Sequence, residues 1–166
     1  MNYVKDLLSR YSNKGILIDT NLLLLYFVGK YKPSEIPKFK RTAAFEINDF
    51  RLLLSILRRF NRIVTTPNIL TEVSNLSNQL PNNSKLAYNA EFASQVLRLD
   101  EKYIPSSDIC SLDHFRKFGL TDSGIIESAK NQYLVLTDDF KLTNFLEKIK
   151  VDVINFNHIR LLRLLS

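Results

Sequence analysis

The sequence predicts an α/β protein: a parallel central sheet with helices on both faces. Two features lead to this. Short apolar runs stand at Ile16–Ile18, Ile63–Thr65, Leu134–Leu136 and Val151–Ile154, and each is followed by polar residues and then a helical repeat. The runs are continuously apolar rather than alternating, as expected of strands buried on both faces and joined by helical crossovers. A third feature sets the functional question. Acidic residues stand just behind these runs, beginning with Asp19 inside "GILIDTNLLLL".

Length and composition suit one globular unit, so residues 1–166 are expected to form a single domain. Apolar residues make up 45% and aromatics 11%, which excludes an intrinsically disordered chain. One cysteine, Cys110, rules out an internal disulfide and a cysteine-based zinc site. The N-terminal stretch carries charges where a secretory segment is apolar, and the longest apolar run, Leu22–Val28, is too short to span a membrane. The expectation is a cytoplasmic protein without membrane contact. A formal charge of +6 and a pI near 9.4 favour a polyanionic partner.

The elements follow in order. After the first strand, Thr42–Phe60 places Phe45, Leu53, Ile56 and Leu57 at helical spacing. After the second, Thr66 is a cap and Pro67 a first helical residue, with Ile69, Leu70, Val73, Leu76 and Leu80 as the apolar stripe. "NAEFASQVLRLDEKY" reads as a helix and Ser106–Cys110 as a loop. A further helix starts near Thr121 with Ile125, Ile126 and Ala129 inward. The last opens at "DFKLTNFLEKIK", with Leu142, Phe145, Leu146 and Ile149 inward.

In open parallel sheets, ligands bind beyond the carboxyl ends of the strands. Asp19 follows the first strand, and Asp138 and Asp139 follow the third run. Asp122 opens a helix, and Glu72 lies on the helix behind the second strand. A buried, unpaired carboxylate is strongly disfavoured, so Asp19 needs water, a partner or a cation. Oxygen ligands on separate rigid elements suit a hard divalent ion, and paired ions serve phosphodiester cleavage by activating water and stabilising the leaving oxygen. The innocent readings are that Asp122 or one of Asp138 and Asp139 merely caps a helix, and that Glu72 pairs with a neighbouring base.

These stretches together resemble the PIN-domain family of metal-dependent nucleases. The segments are Ile18-Asp19-Thr20-Asn21, "TPNILTEVSNL" with Glu72, Thr121-Asp122-Ser123 and Thr137-Asp138-Asp139. Ser123 stands where that family usually has Ala, and Lys32–Arg41 and Pro81–Phe118 look longer than in its compact members. The resemblance implies a three-layer α/β/α sandwich, Mg²⁺ or Mn²⁺, and cleavage of single-stranded RNA. It implies that Asp19, Asp122 and Asp139 hold metal, that Glu72 holds metal or positions water, and that Asp138 assists. Asn21, Thr137 and Ser123 would support these groups or touch substrate. Within the family many small members are toxins neutralised by an antitoxin protein, while others process RNA, and both uses stay open here.

Lys30, Lys32, Lys38, Lys40 and Arg41, interleaved with Tyr31 and Phe39, are the expected RNA-binding group. The apolar C-terminus "IRLLRLLS" is a candidate dimer contact or a segment packed on the core. Neither His114 nor His158 has metal-ligand spacing, and the four glycines form no phosphate loop. The alternative function is an inactive PIN-like module that binds RNA or protein. A phosphatase of the haloacid-dehalogenase type needs D-x-D, where this chain has Asn21.

Overall fold

The computed structural model describes residues 2–80, 82–130 and 132–164; of these, side chains are described for all but 2, 82, 83, 163 and 164. Part of the "IRLLRLLS" segment therefore lies outside the described residues. Five strands form one all-parallel sheet: β1 (Ile16–Ile18), β2 (Ile63–Thr65), β3 (Asp100–Glu101), β4 (Leu134–Thr137) and β5 (Val153–Asn155), in the order β3-β2-β1-β4-β5. The register places Ile16 beside Ile63 and Leu134, and Ile18 beside Leu136.

The helices are α1 (Asn2–Arg10), α2 (Thr20–Tyr31), α3 (Ile47–Leu57), α4 (Pro67–Ser77), α5 (Asn82–Val96), α6 (Ser106–Cys110), α7 (Phe115–Ala129), α8 (Phe140–Lys148) and α9 (Phe156–Leu164). From β1 the chain steps outward through β2 to β3, then crosses back to β4 and β5. Right-handed crossovers in opposite directions along a sheet fall on opposite faces. Accordingly α2 packs on α3, α4 and α5, while α7 packs on α8. The result is a three-layer α/β/α sandwich, as expected from the sequence. Its core includes Leu22–Val28 of α2, the β1 and β4 triplets, and Ile125 and Ile126 of α7.

Several boundaries differ from the sequence expectation. The helix expected over Thr42–Phe60 begins only at Ile47. Thr42 instead donates its hydroxyl to the Ile36 carbonyl at 2.8 Å, and the Asp49 carboxylate accepts the Glu46 N–H at 2.9 Å, so local side-chain bonds hold a turn ahead of the helix. Ser106–Cys110 is a short helix rather than a loop. The last strand starts at Val153, because Lys150 takes a positive φ and the Val151 N–H returns to the Leu146 carbonyl. The edge strand β3 escaped the sequence pattern: it is two acidic residues, and edge strands carry charge rather than an apolar repeat. In α8, Leu142 and Leu146 reach the core, but Phe145 is half-buried and Ile149 is exposed.

Among the described residues no helix is long and apolar enough to cross a membrane.

Candidate active site

The strand order reverses between β1 and β4, and a doubly wound sheet opens its ligand crevice at that point. Asp19 ends β1 and Asp138 and Asp139 follow β4, so the strands themselves deliver these carboxylates to the crevice. The Asp19 N–H donates to the Leu136 carbonyl at 3.1 Å, and the Asp138 N–H donates to Asp19 Oδ2 at 3.0 Å.

Asp19 is 5% exposed. One oxygen accepts the Leu22 N–H at 3.0 Å, capping α2; the other accepts the Thr137 hydroxyl as well as the Asp138 amide. Burial, followed by the Asp138 charge, pushes the carboxyl up to about 8 despite these three donors. Asp19 thus has a capping role that the sequence reading missed, yet capping alone does not relieve its charge.

Asp139 caps α8, accepting the Lys141 and Leu142 N–H groups at 2.6 and 3.0 Å. Asp122 sits on α7, one turn past a break at Gly119. Burial, then Asp139 and Glu72, push its carboxyl up to about 6, with Lys141 opposing. Glu72 reaches the rim from α4 and is gripped on both oxygens: Thr20 donates to Oε2 at 2.8 Å and Thr121 to Oε1 at 2.7 Å. Asn21 donates to Asp138 Oδ1 at 3.1 Å, and Asn157 donates to the Asp138 carbonyl at 2.9 Å.

The five acids named from the sequence therefore meet at one end of the sheet, in two sets. Asp19 faces Asp138, and Asp122 faces Asp139 and Glu72. Asn21 and Thr137 touch these acids. Ser123 is fully buried, and its hydroxyl has no hydrogen-bond partner. Thr20 and Thr121 stood in the quoted motifs but were given no role from sequence, and Asn157 and Lys141 were not singled out; a threonine beside each of two acids, Asp19 and Asp122, was the available signal. Phe140, 52% exposed, directly follows Asp139, with its ring 5.6 Å from that of His158.

The expected RNA-binding group lies elsewhere. Lys30 is at the far end of α2, about 16 Å along the helix from Asp19 at about 1.5 Å per residue. Lys32 and Lys38 pair with Glu35, and Arg41 donates to Gln79 at the end of α4. These residues share no contact with the acids.

The acids at the crevice offer carboxylate oxygens, and Lys141 is the cation that offsets Asp122, so the donor chemistry suits Mg²⁺ or Mn²⁺. Among the described residues no three His, Cys, Asp or Glu side chains are grouped closely enough to hold an ion as they stand. Magnesium needs only one or two direct carboxylates and keeps its waters, so two sets of acids are compatible with it. The fold and site define a doubly wound α/β protein with an acidic crevice at its switch point. No family model and no curated protein matches the chain.

Proposed function

We propose that the protein is a PIN-like, divalent-metal-dependent endoribonuclease that hydrolyses phosphodiester bonds of single-stranded RNA. The observation that carries this reading is the pair Asp19 and Asp122: two carboxylates from different elements, each held against burial and against other acids with little compensating charge. Such perturbation at the open end of a sheet marks a functional-site candidate. Asp19, Asp122, Asp139 and Glu72 would hold Mg²⁺ or Mn²⁺, which supplies charge neutralisation and activation of water when bound. Thr137 and Asn21 orient Asp19 and Asp138, and the two threonines orient Glu72. Phe140 offers a face on which an unpaired base can stack beside Asp139.

The reading extends to a cytoplasmic enzyme acting on RNA, either as a toxin held by an antitoxin protein or in RNA processing. A second reading, an inactive RNA- or protein-binding module, draws on the hydrogen-bond saturation of Asp19 and the separation of the acids into two sets.

Cleavage of end-labelled single-stranded RNA in Mn²⁺, Mg²⁺ and EDTA, with Asp19→Asn in parallel, separates the two. Internal cuts that require metal and Asp19 are the expected result. Intact RNA in both metals would remove the nuclease reading and leave the module.

A further inference from the structure

We infer that single-stranded RNA leaves the acidic crevice along the cleft between α7 and α8, held by its phosphates over Lys141, Lys117 and Lys148. The inference names the substrate path of the proposed nuclease and rests on that reading for the identity of the strand. Two cavities adjoin on this face and share Phe145. One, of about 460 Å³, is lined by Lys117, Lys141, Asn144, Phe145 and Lys148. The other, of about 280 Å³, continues past Phe145 to His114, Lys130 and Lys150. Among the described residues no carboxylate lines either one, although Lys130 is paired with Glu127.

The cleft is joined to the acids through Lys141. Its backbone N–H caps onto Asp139, and its charge acts on Asp122. Its ammonium group donates to the Lys117 carbonyl at 2.8 Å. The Lys117 carbonyl lies two residues before Gly119, whose φ of 71° breaks α7. The same ammonium lies 5.0 Å from the centre of the Phe118 ring. The Lys117 ammonium lies 5.2 Å from that ring and 5.8 Å from Phe145. Two cations thus lie near one aromatic ring; among the described residues Lys117, Lys141 and Lys148 form no salt bridge, and Lys141 acts on Asp122 only at longer range. A strand lying in this cavity meets three lysines, Lys117, Lys141 and Lys148, whereas the lysines first expected to bind RNA are in part already paired with Glu35. From Lys141 to Lys148 the helix rises about 10 Å, and the two residues stand two turns apart on one side of α8. The face also explains why Phe145 and Ile149 are incompletely buried on an otherwise amphipathic helix.

The test is binding of a short fluorescent single-stranded RNA to the full chain in EDTA, across a salt series, so that cleavage plays no part. Lys117→Glu/Lys148→Glu is compared with Lys38→Glu/Lys40→Glu; all four lysines are exposed. The cleft variant is expected to bind roughly tenfold more weakly at low salt, with the slope of log affinity against log salt reduced by about 1.4, or ~0.7 for each lost phosphate contact. The other pair is expected to match the parent. Unchanged affinity in the cleft variant, a larger loss in the Lys38/Lys40 variant, or duplex RNA bound as tightly as the single strand would each overturn the path. Cleavage by the parent in Mn²⁺ is scored separately. Binding through the cleft without cleavage removes the nuclease and keeps the path, and cleavage with cleft-independent binding does the reverse.

Discussion

The Thr137 hydroxyl donates to the buried Asp19 carboxylate and at the same time accepts the Asp139 backbone N–H, at 2.9 Å. One side chain at the end of β4 therefore links the acid that ends β1 to the acid that opens α8. Thr137 is fully buried, so removing its hydroxyl leaves the Asp139 amide without that acceptor and Asp19 with one donor fewer. Thr137→Val is expected to cost about 1–3 kcal/mol in thermal or denaturant unfolding. It is also expected to weaken Mn²⁺ binding, because Asp19 then gives up its proton less readily. Thr137→Ser keeps the hydroxyl and is expected to retain metal affinity. Equal loss in both variants would count against the hydrogen bond as the cause.

The metal-free protein should show a pH dependence that Asp19 dominates. Its carboxyl is raised to about 8 and that of Asp122 to about 6, both from the ordinary 3.8. The folded state therefore keeps protons that the unfolded chain releases. Their contribution is fully present below about pH 4 and is lost as pH rises towards 8, on the order of a few kcal/mol. In EDTA, the difference in unfolding free energy between Asp19→Asn and the parent should move in favour of the variant across this range. Added Mg²⁺ should raise the parent's melting temperature more at pH 8 than at pH 5, since ligation needs the ionised carboxylate. A difference that stays constant with pH would show that Asp19 ionises as it does in the unfolded chain.

Glu72 is exposed, so its two threonine partners contribute little to stability and much to aim. Thr20→Val and Thr121→Val are each expected to leave the melting temperature nearly unchanged. Each should lower kcat for RNA cleavage by roughly tenfold through misplacement of the carboxylate, with KM little affected. Because both act on one carboxylate, the double variant should lose less than the product of the two single effects. Multiplicative losses would mean that the two threonines act on separate groups.

Gly29, in the last turn of α2, lets Phe50 of α3 lie against the helix backbone. A Cβ built there would come within 2.3 Å of the Phe50 ring, which is itself buried. Gly29→Ala is expected to destabilise by about 1–3 kcal/mol despite the better helix propensity of alanine. Phe50→Leu in the same chain should recover part of the loss. A melting temperature raised by Gly29→Ala alone would show that the two helices can separate freely.

By itself the sequence determined the elements whose signal is local. The β1, β2 and β4 runs are mostly apolar because both their faces are covered, and Thr66-Pro67 opens α4 through its own cap. Asp19, Asp122, Asp138 and Asp139 could be picked out because an acid directly behind a strand or at a helix start is visible in the chain order, and Glu72 by its place within the helix behind the second strand. Tertiary structure alone decided the rest. Strand β3 exists because Val64 and Thr65 offer it a ladder, not because Asp100 and Glu101 favour one. The grip of Thr20 and Thr121 on Glu72 spans about fifty residues of chain, and no spacing rule announces it. The basic groups show the same limit. Lys30–Arg41 stand out as a run, yet α2 carries them away from the acids, while Lys117, Lys141 and Lys148 are scattered in sequence and meet only when α7 and α8 pack. Local interactions set where a helix begins, but which charges share a surface depends on how far each helix carries them from the sheet edge where it starts.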